Sequence, residues 1–222
     1  MRASLILAAL ALLLTTPAAA KDPALGDTTF EVFEAWLSPH QEGNEETEMP
    51  KLAAKAGLAN TKPSTPREQR PSRGWGQIKF ARNMSKALVD VKITGVDPDD
   101  IVMFHIHCGR PGVLGPILVD LGGHHGEHKS DLTKAFPEGR FQKEIRNADI
   151  KYVKDLPGLA PRLPEACPIG SGLPGQVMTV GGMYHIARRG LLYFNLHTKS
   201  HTYYGEIRGQ IYPVVPTEAD ED

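Results

Sequence analysis

Three short runs of alternating side chains constrain the fold of this chain more than any other feature. They are residues 103–109 (MFHIHCG), 193–198 (YFNLHT) and 205–210 (GEIRGQ). In an extended strand, successive side chains point to opposite faces. His105 and His107 therefore share one face of the first run, while Phe104 and Ile106 share the other. The alternation predicts strands that each have one apolar and one polar face.

The other two runs sort their side chains in the same way. In the second run His197 shares a face with Asn195, and in the third Glu206 shares a face with Arg208. If the three strands lie in one sheet with their apolar faces on a core, their other face gathers histidines, amides and an ion pair. Such a concentration of imidazole and charge is where a functional site is sought.

The same residues carry a resemblance to a known family. Residues 105–116 (HIHCGRPGVLGP) resemble the first signature of the chordin-type (CHRD) domain, and residues 195–198 (NLHT) followed by 205–211 (GEIRGQI) resemble the second. Residues 35–42 (AWLSPHQE) resemble the opening strand and turn of the family. The resemblance implies an extracytoplasmic antiparallel β-sandwich without an established catalytic activity. It also implies an outline similar to immunoglobulin-like domains and to Cu/Zn superoxide dismutase.

Several further segments have the composition of strands. They are residues 28–37, 76–82, 87–94, 101–108 and 116–121, with turn residues between them and almost no helical periodicity. This pattern predicts an all-β protein, an antiparallel Greek-key β-sandwich or barrel of the immunoglobulin-like or superoxide dismutase-like type. A chain of 222 residues with 41% hydrophobic content can build one sizeable core.

We expect a single domain with long loop insertions. The predicted parts are a polar lead at 21–27, the domain at 28–212, insertions at 43–73 and 122–175, and an acidic tail at 213–222. The first insertion is rich in charge and proline, which predicts a mobile surface loop with solvated charges and a short helix within 51–59. Residues 176–189 fit either a strand or a short helix.

The first 20 residues have the pattern of a secretory signal peptide. Arg2 precedes an apolar run at 5–14, and small residues follow at 18–20. The run is too short to span a hydrocarbon core of about 30 Å. We therefore expect an exported protein, periplasmic or extracellular, with no transmembrane segment in the mature chain. The formal net charge of −1 gives no electrostatic reason to expect nucleic acid as a partner.

Cys108 and Cys167 are the two cysteines of the chain. In an oxidising compartment an even pair of cysteines predicts a disulfide bond. The alternative is that Cys108 is a thiolate metal ligand beside His107. In a regular strand, however, Cys108 points to the face opposite the histidines, so we prefer the disulfide.

The strand histidines His105, His107 and His197 are candidate metal ligands. A His-x-His pair on a strand projects two imidazoles to one face, and a neighbouring strand could add the third nitrogen. This donor set suits copper in an oxidising compartment, with zinc the less favoured ion. Adjacent polar residues would then hold the imidazole tautomers or gate an anion; these are Asn195, Glu206 and Arg208. The alternative is that the histidines are structural and that Glu206 and Arg208 form a surface ion pair.

Other histidines form a weaker group. His124, His125 and His128 lie in a glycine-flanked segment that could capture metal or be a solvated loop. His40 lies in the opening turn and is a further possible ligand, while His185 and His201 receive no role.

Three classes of function follow from the sequence. The first is a protein that binds a copper ion without turnover. The second is an interaction module that binds another envelope or extracellular protein. The third is an enzyme of the superoxide dismutase type, for which only the 124–128 segment could supply further ligands. The chain lacks a Gly-x-Ser-x-Gly elbow, a P-loop and a His-Glu-x-x-His motif.

Overall fold

The computed structural model describes residues 21–122, 134–150 and 177–214, and strands dominate these ranges. The strands are β1 (Phe30–Leu37), β2 (Arg73–Ala81), β3 (Ala87–Thr94), β4 (Ile101–Cys108), β5 (Ile117–Gly122), β6 (Arg140–Ile145), β7 (Leu192–Thr198) and β8 (Ile207–Pro213). The α-helices are α1 (Lys51–Ala53), which continues into a π-helical turn at Ala54–Leu58, and α2 (Val180–Ala187). Short 3-10 turns lie at Pro23–Asp27, Pro39–Gln41, Glu46–Glu48, Arg67–Gln69, Pro98–Asp100, Pro137–Gly139 and Asn147–Asp149.

The strands form one antiparallel sheet that curls into a nearly closed barrel. Their order in the sheet is β5-β4-β7-β8-β1-β2-β3-β6. The two end strands approach each other, since Val119 forms an isolated bridge with Ile150 and Lys143 Nζ donates to the Asp120 carbonyl oxygen at 3.2 Å. The prediction of an all-β antiparallel fold is confirmed.

The interior of the barrel is apolar, as the alternation predicts. Phe104 lies at its centre, with ring centroids 5.6 Å from Phe136, 5.2 Å from Phe141 and 5.8 Å from Phe194. Each aromatic pair of this kind adds about 0.5–1.5 kcal/mol beyond the burial of its area. Ile106 and the Cys108 side chain are fully buried in the same cluster.

The segment between β1 and β2 differs from its prediction as a mobile loop with solvated charges. It does contain the expected short helix, α1. Three of its charged side chains, however, are buried against the sheet: Glu42, Glu46 and Arg70 are 4–5% exposed. Others, such as Lys51 and Glu68, are exposed as predicted. Glu46 accepts hydrogen bonds from the backbone N–H groups of Tyr203 and Tyr204, at 2.8 and 3.0 Å. The segment therefore covers the outer face of the barrel instead of projecting into solvent.

The structure defines the conformation of two parts of the chain that the sequence left open, within residues 122–175 and 176–189. Strand β6 lies within the predicted 122–175 insertion and pairs with β3, so part of this segment belongs to the barrel itself. Of the two alternatives for 176–189, the helix is correct, and the Thr179 side chain caps α2 by accepting from the Gly182 N–H at 3.0 Å.

Some predictions fall where the structure gives no description. The signal peptide at 1–20, most of the second insertion and the acidic tail beyond residue 214 lie outside the described residues. Within those residues, no helix has the length and hydropathy needed to cross a membrane.

Candidate metal centre

Strands β4 and β7 bring three histidines together on the outer face of the barrel. In the register of this pair, His105 lies opposite Asn195 and His107 lies opposite Tyr193, which places His197 diagonally beside His105. One ring nitrogen from each of His105, His107 and His197 lies within 4.8 Å of the other two. All three rings are buried, with 1–5% of their surface exposed. The sequence prediction that these histidines converge is thus correct.

The loop between β4 and β5 fixes the orientation of His107. Its Nδ1 lies 2.9 Å from the Gly115 carbonyl oxygen. A carbonyl can only accept, so Nδ1 carries the proton and Nε2 carries the lone pair. Ligand histidines are commonly held by a hydrogen bond of this kind. Position 115 requires glycine, because a Cβ there would lie 1.9 Å from the Cys108 carbonyl oxygen.

Asp120 of β5 is a site residue that the sequence reasoning missed. It pairs with His105 across β4 and β5. Its Oδ1 lies 3.8 Å from His105 Nε2, and 32% of its side chain is exposed. A signal was present, since Asp120 is the acidic residue in an otherwise apolar strand that must lie beside the histidine strand.

Tyr193 and Arg208 extend the site as a stack of flat groups. The His107 and Tyr193 rings are 4.9 Å apart and inclined by 15°. On the tyrosine ring lies the guanidinium of Arg208, with Cζ 3.5 Å from the ring centroid. Burial raises the pKa of Tyr193 to about 12, so the phenol stays neutral. Its oxygen accepts from the Gly115 N–H at 3.0 Å, which ties the stack to the same loop that holds His107.

Arg208 and Gln210 also join the two sequence signatures to each other. Arg208 donates to the carbonyl oxygens of Val113 and Arg110, at 2.9 and 2.7 Å. Gln210 donates to the carbonyl oxygen of Gly109 at 2.9 Å. The second signature therefore holds the loop of the first in place. The interpretation of Glu206 and Arg208 as a surface ion pair is wrong, because both are buried and each has other partners.

Glu206 belongs to a separate buried cluster. Its Oε2 contacts Nδ1 of His201, and its Oε1 accepts from Ser72 at 2.6 Å. Burial by itself would raise the pKa of Glu206, but the hydrogen bonds from His201 and Ser72 lower it below its ordinary value. The Thr65 N–H donates to His201 Nε2 at 3.1 Å. The Glu206–His201 pair therefore joins the segment between β1 and β2, the covering segment, to the sheet. Sequence reasoning assigned no role to His201, because a lone histidine in a turn carries no signal for one.

Asn195 and Glu42 meet at the centre of the buried polar face. Gly205, with φ +104°, passes so close that a Cβ there would lie 2.0 Å from Asn195 Oδ1 and 2.9 Å from Glu42 Oε1. Neither oxygen has a hydrogen-bond partner within the described ranges. Burial raises the pKa of Glu42 to about 8, although Arg208 and Arg70 act in the opposite direction. Glu42 is therefore a protonated acid at neutral pH.

The three predicted neighbours of the histidines, Asn195, Glu206 and Arg208, differ in how near they lie to the ligand rings. Asn195 lies opposite His105 in the sheet, but its Nδ2 donates to the Tyr204 carbonyl oxygen at 2.9 Å. Arg208 stacks on the Tyr193 ring, which in turn stacks on His107. Glu206 instead contacts His201 and Ser72.

The remaining predicted residues lie apart from the three histidines or outside the description. His40 and His185 are exposed, and neither belongs to the group of ligand atoms. His124, His125 and His128 lie outside the described residues, as does Cys167. The Cys108 side chain points into the apolar core, away from the histidines, as strand parity predicts. No cysteine of the described residues is a free thiol, and the bond to Cys167 stays a prediction.

The donor set fits a transition metal. In a tetrahedral site with metal–nitrogen bonds of about 2.0–2.1 Å, two ligand nitrogens lie about 3.4 Å apart. The nitrogens here lie within 4.8 Å of one another, so a closure of up to about 1.4 Å is needed, which side-chain rotation can supply. Three neutral imidazoles suit copper or zinc, and leave a position for a further ligand.

Comparison with known proteins identifies a family. Residues 54–211 match the family described as the CHRD domain. This match includes both signature segments, while residues 35–42 precede it. No curated protein and no solved structure matches the chain.

Proposed function

The chain belongs to the CHRD-domain family, and on that premise we propose that it is an exported protein that binds one copper ion without turnover. The ion is held by His105, His107 and His197. The family supplies the fold and names no reaction, so the proposal depends on the donor set and its surroundings.

One observation carries the proposal: three buried imidazoles from two neighbouring strands direct a ring nitrogen each into a region 4.8 Å across. Imidazole nitrogens held this close on one buried face form a donor set of the kind that copper and zinc take. The hydrogen bond from His107 to Gly115 supports the proposal, because it sets the tautomer that a ligand needs.

Copper is favoured over zinc by general affinity and by the predicted compartment. Imidazole sites bind Cu²⁺ more tightly than Zn²⁺ in the usual order of divalent metals. Export, which the signal-like residues 1–20 support, removes the chain from the cytosol. When bound, the ion would give the protein a role in storing, delivering or sensing copper.

The test is metal analysis of the exported, purified protein beside a double variant, His105→Ala with His107→Ala. We expect one equivalent of copper in the parent protein and none in the variant. Electron paramagnetic resonance of the Cu²⁺ form should resolve nitrogen couplings from imidazole. The matched control is His185→Ala, an exposed histidine on α2, which should keep the full equivalent. Equal copper in parent and double variant would overturn the proposal.

Two further variants define the ligand set. His40→Ala should leave the stoichiometry unchanged, because His40 is exposed and apart from the group. The triple variant His124→Ala, His125→Ala, His128→Ala tells whether the glycine-flanked segment adds ligands. A parent protein with two equivalents and a triple variant with one would assign a second ion to that segment.

A further inference from the structure

A second candidate site lies on the other side of the barrel, away from the histidines. It is an open groove of about 430 Å³ where β1, β2 and β3 meet. Both tryptophans of the chain, Trp36 and Trp75, line it together with the cations Arg73 and Lys92. Sites for small ligands have volumes of about 300–1,000 Å³ and mostly apolar walls with a few polar groups. The groove has that size and that chemistry.

Strand register orders these residues into a row. Trp36 lies opposite Trp75, Trp75 lies opposite Lys92, and Lys92 lies opposite Arg140 of β6. Directly opposite residues point to the same face of a sheet. With strands about 4.8 Å apart, the row extends over roughly 15 Å from Trp36 to Arg140. Arg140 lies outside the groove and pairs with Asp90 at 2.5 Å, so Lys92 is the cation that the row contributes to the groove.

Trp36 is exposed at the groove, while Trp75 and Arg73 are held by hydrogen bonds. Trp36 is 68% exposed, the largest value among the large hydrophobic side chains of the described residues. Trp75 Nε1 donates to Glu34 at 3.3 Å, which fixes its indole plane. Arg73 Nη1 donates to the carbonyl oxygens of Arg70 and Ser72, at 3.0 and 2.6 Å, which restricts the orientation of its guanidinium at the groove. Such order reduces the entropy cost of binding.

The charges of the groove indicate the charge of its ligand. The two charged residues that line it, Arg73 and Lys92, are both cationic, and Lys92 forms no ion pair with any described residue. Indole faces stack on flat or ring-shaped groups. A ligand that satisfies both features combines a ring face with a carboxylate.

We propose that this groove binds an acidic saccharide, a chain of uronic-acid units. One ring stacks on Trp36, and its carboxylate is neutralised by Lys92 and Arg73. The hydroxyl groups of Ser38 and Thr94, which also line the groove, are placed to bind sugar hydroxyls. This inference does not depend on the metal site, because β8 separates these strands from β7 and β4.

Two other polymers fit the groove less well. Single-stranded nucleic acid requires a positive groove that follows many phosphates, whereas this groove has two cations in a chain of net charge −1. A protein interface of ordinary stability covers about 800 Å² and about 20–30 residues per partner. The groove is lined by nine residues, which is too few for such an interface.

The tryptophans give the test its readout. Since both tryptophans of the chain line the groove, the tryptophan emission of the whole protein reports on this site. Titration with trigalacturonate should shift the emission to shorter wavelength in a saturable way. Trp36→Ala should weaken binding roughly tenfold, the size of one lost ring stack. Lys92→Ala should weaken it by about fivefold, with a smaller dependence on salt.

Matched ligands and variants make the outcome decisive. The methyl-esterified trisaccharide has the same rings without charge, and should bind more weakly. Lys79→Ala changes a cation on the same face of β2 but outside the groove, and should have no effect. Trp36 is so exposed that its replacement should leave the circular dichroism spectrum unchanged, and Lys92→Glu provides a second variant if it does not.

Three results would overturn the proposal. They are the absence of a saturable change with trigalacturonate, equal affinity for the esterified sugar, and tighter binding of oligothymidylate. Self-association that depends on Trp36, seen by sedimentation without any sugar binding, would assign the row to a protein partner instead.

Discussion

The two faces of the same strands, β4, β7 and β8, are both buried but are built on different principles. The inner face packs Phe104, Ile106 and Phe194 into an apolar core. The outer face is a polar layer, defined here as Glu42, Asn195, Arg208, Gln210 and the three histidines, all under 9% exposed. Apolar contacts are adaptable, whereas each polar atom needs a partner at a fixed distance. The polar layer should therefore tolerate conservative substitution less well than the core.

The largest expected effect compares one residue from each face. Arg208→Met removes the donors to the Arg110 and Val113 carbonyl groups and should lower the free energy of unfolding by about 3–5 kcal/mol. Ile106→Val, in the core between the two histidines of β4, should cost about 0.5–1.5 kcal/mol. Urea unfolding of both variants measures the difference. If Ile106→Val costs as much as Arg208→Met, the comparison between the faces is wrong.

The next effect appears in the pH dependence of stability and has its origin in Glu42. Its pKa rises from 4.5 to about 8 on folding, so the folded protein keeps a proton that the unfolded chain releases. Stability should therefore fall as pH rises between these values, by up to about 1.4 kcal/mol per pH unit. Glu42→Gln should remove this slope, giving a difference of about 4 kcal/mol across the window. Parallel slopes for parent and variant between pH 5 and 8 would contradict the assignment.

A smaller effect of opposite sign should come from Glu206. Its pKa in the folded protein lies below the ordinary 4.5, so its contribution to stability is complete above that pH and is lost as pH falls through the lowered value. Glu206→Gln should cost about 1–2 kcal/mol at neutral pH and make the protein less sensitive to acid. Ser72→Ala, which deletes one of its hydrogen bonds, is the milder companion. A variant that stays as sensitive to acid as the parent would place the acid response elsewhere.

The smallest effect on stability is expected at the edge of the polar layer. Asp120 is 32% exposed and lies beside His105, so Asp120→Asn should change the unfolding of the metal-free protein by under about 0.5 kcal/mol. Its effect on copper affinity should be larger, a loss of about 10–100-fold, as for other carboxylates beside a ligand histidine. Competition with a copper chelator measures it. An unchanged affinity would remove Asp120 from the site.

The two faces also differ in how far the sequence reveals them. Alternation placed Ile106 inside and His105 outside, and the same rule predicted the convergence of the histidines, because parity in a strand is a local property. The partners of Arg208 are backbone carbonyls about a hundred residues away along the chain. Every residue has a carbonyl group, so nothing in the sequence singles these out.

The burial of charge in the segment between β1 and β2 was not predicted, because it also depends on partners far away along the chain. A stretch rich in glutamate and arginine has the composition of a solvated loop, and burial of Glu46 and Arg70 depends on tertiary partners that composition does not encode. Asp120, in contrast, was within reach of the sequence, because an acidic residue in an apolar strand next to a histidine strand is itself a signal.

The near closure of the barrel has a consequence for the candidate metal centre. Strand β5 pairs with β4 on one side, where two register shifts interrupt the ladder. On its other side it meets the far end of the sheet through a single bridge and one lysine contact. Its amide hydrogens should exchange with deuterium before those of β4 or β7. Since Asp120 of β5 lies beside His105 of β4, we expect fraying of β5 to expose the His105 imidazole while the rest of the barrel stays intact.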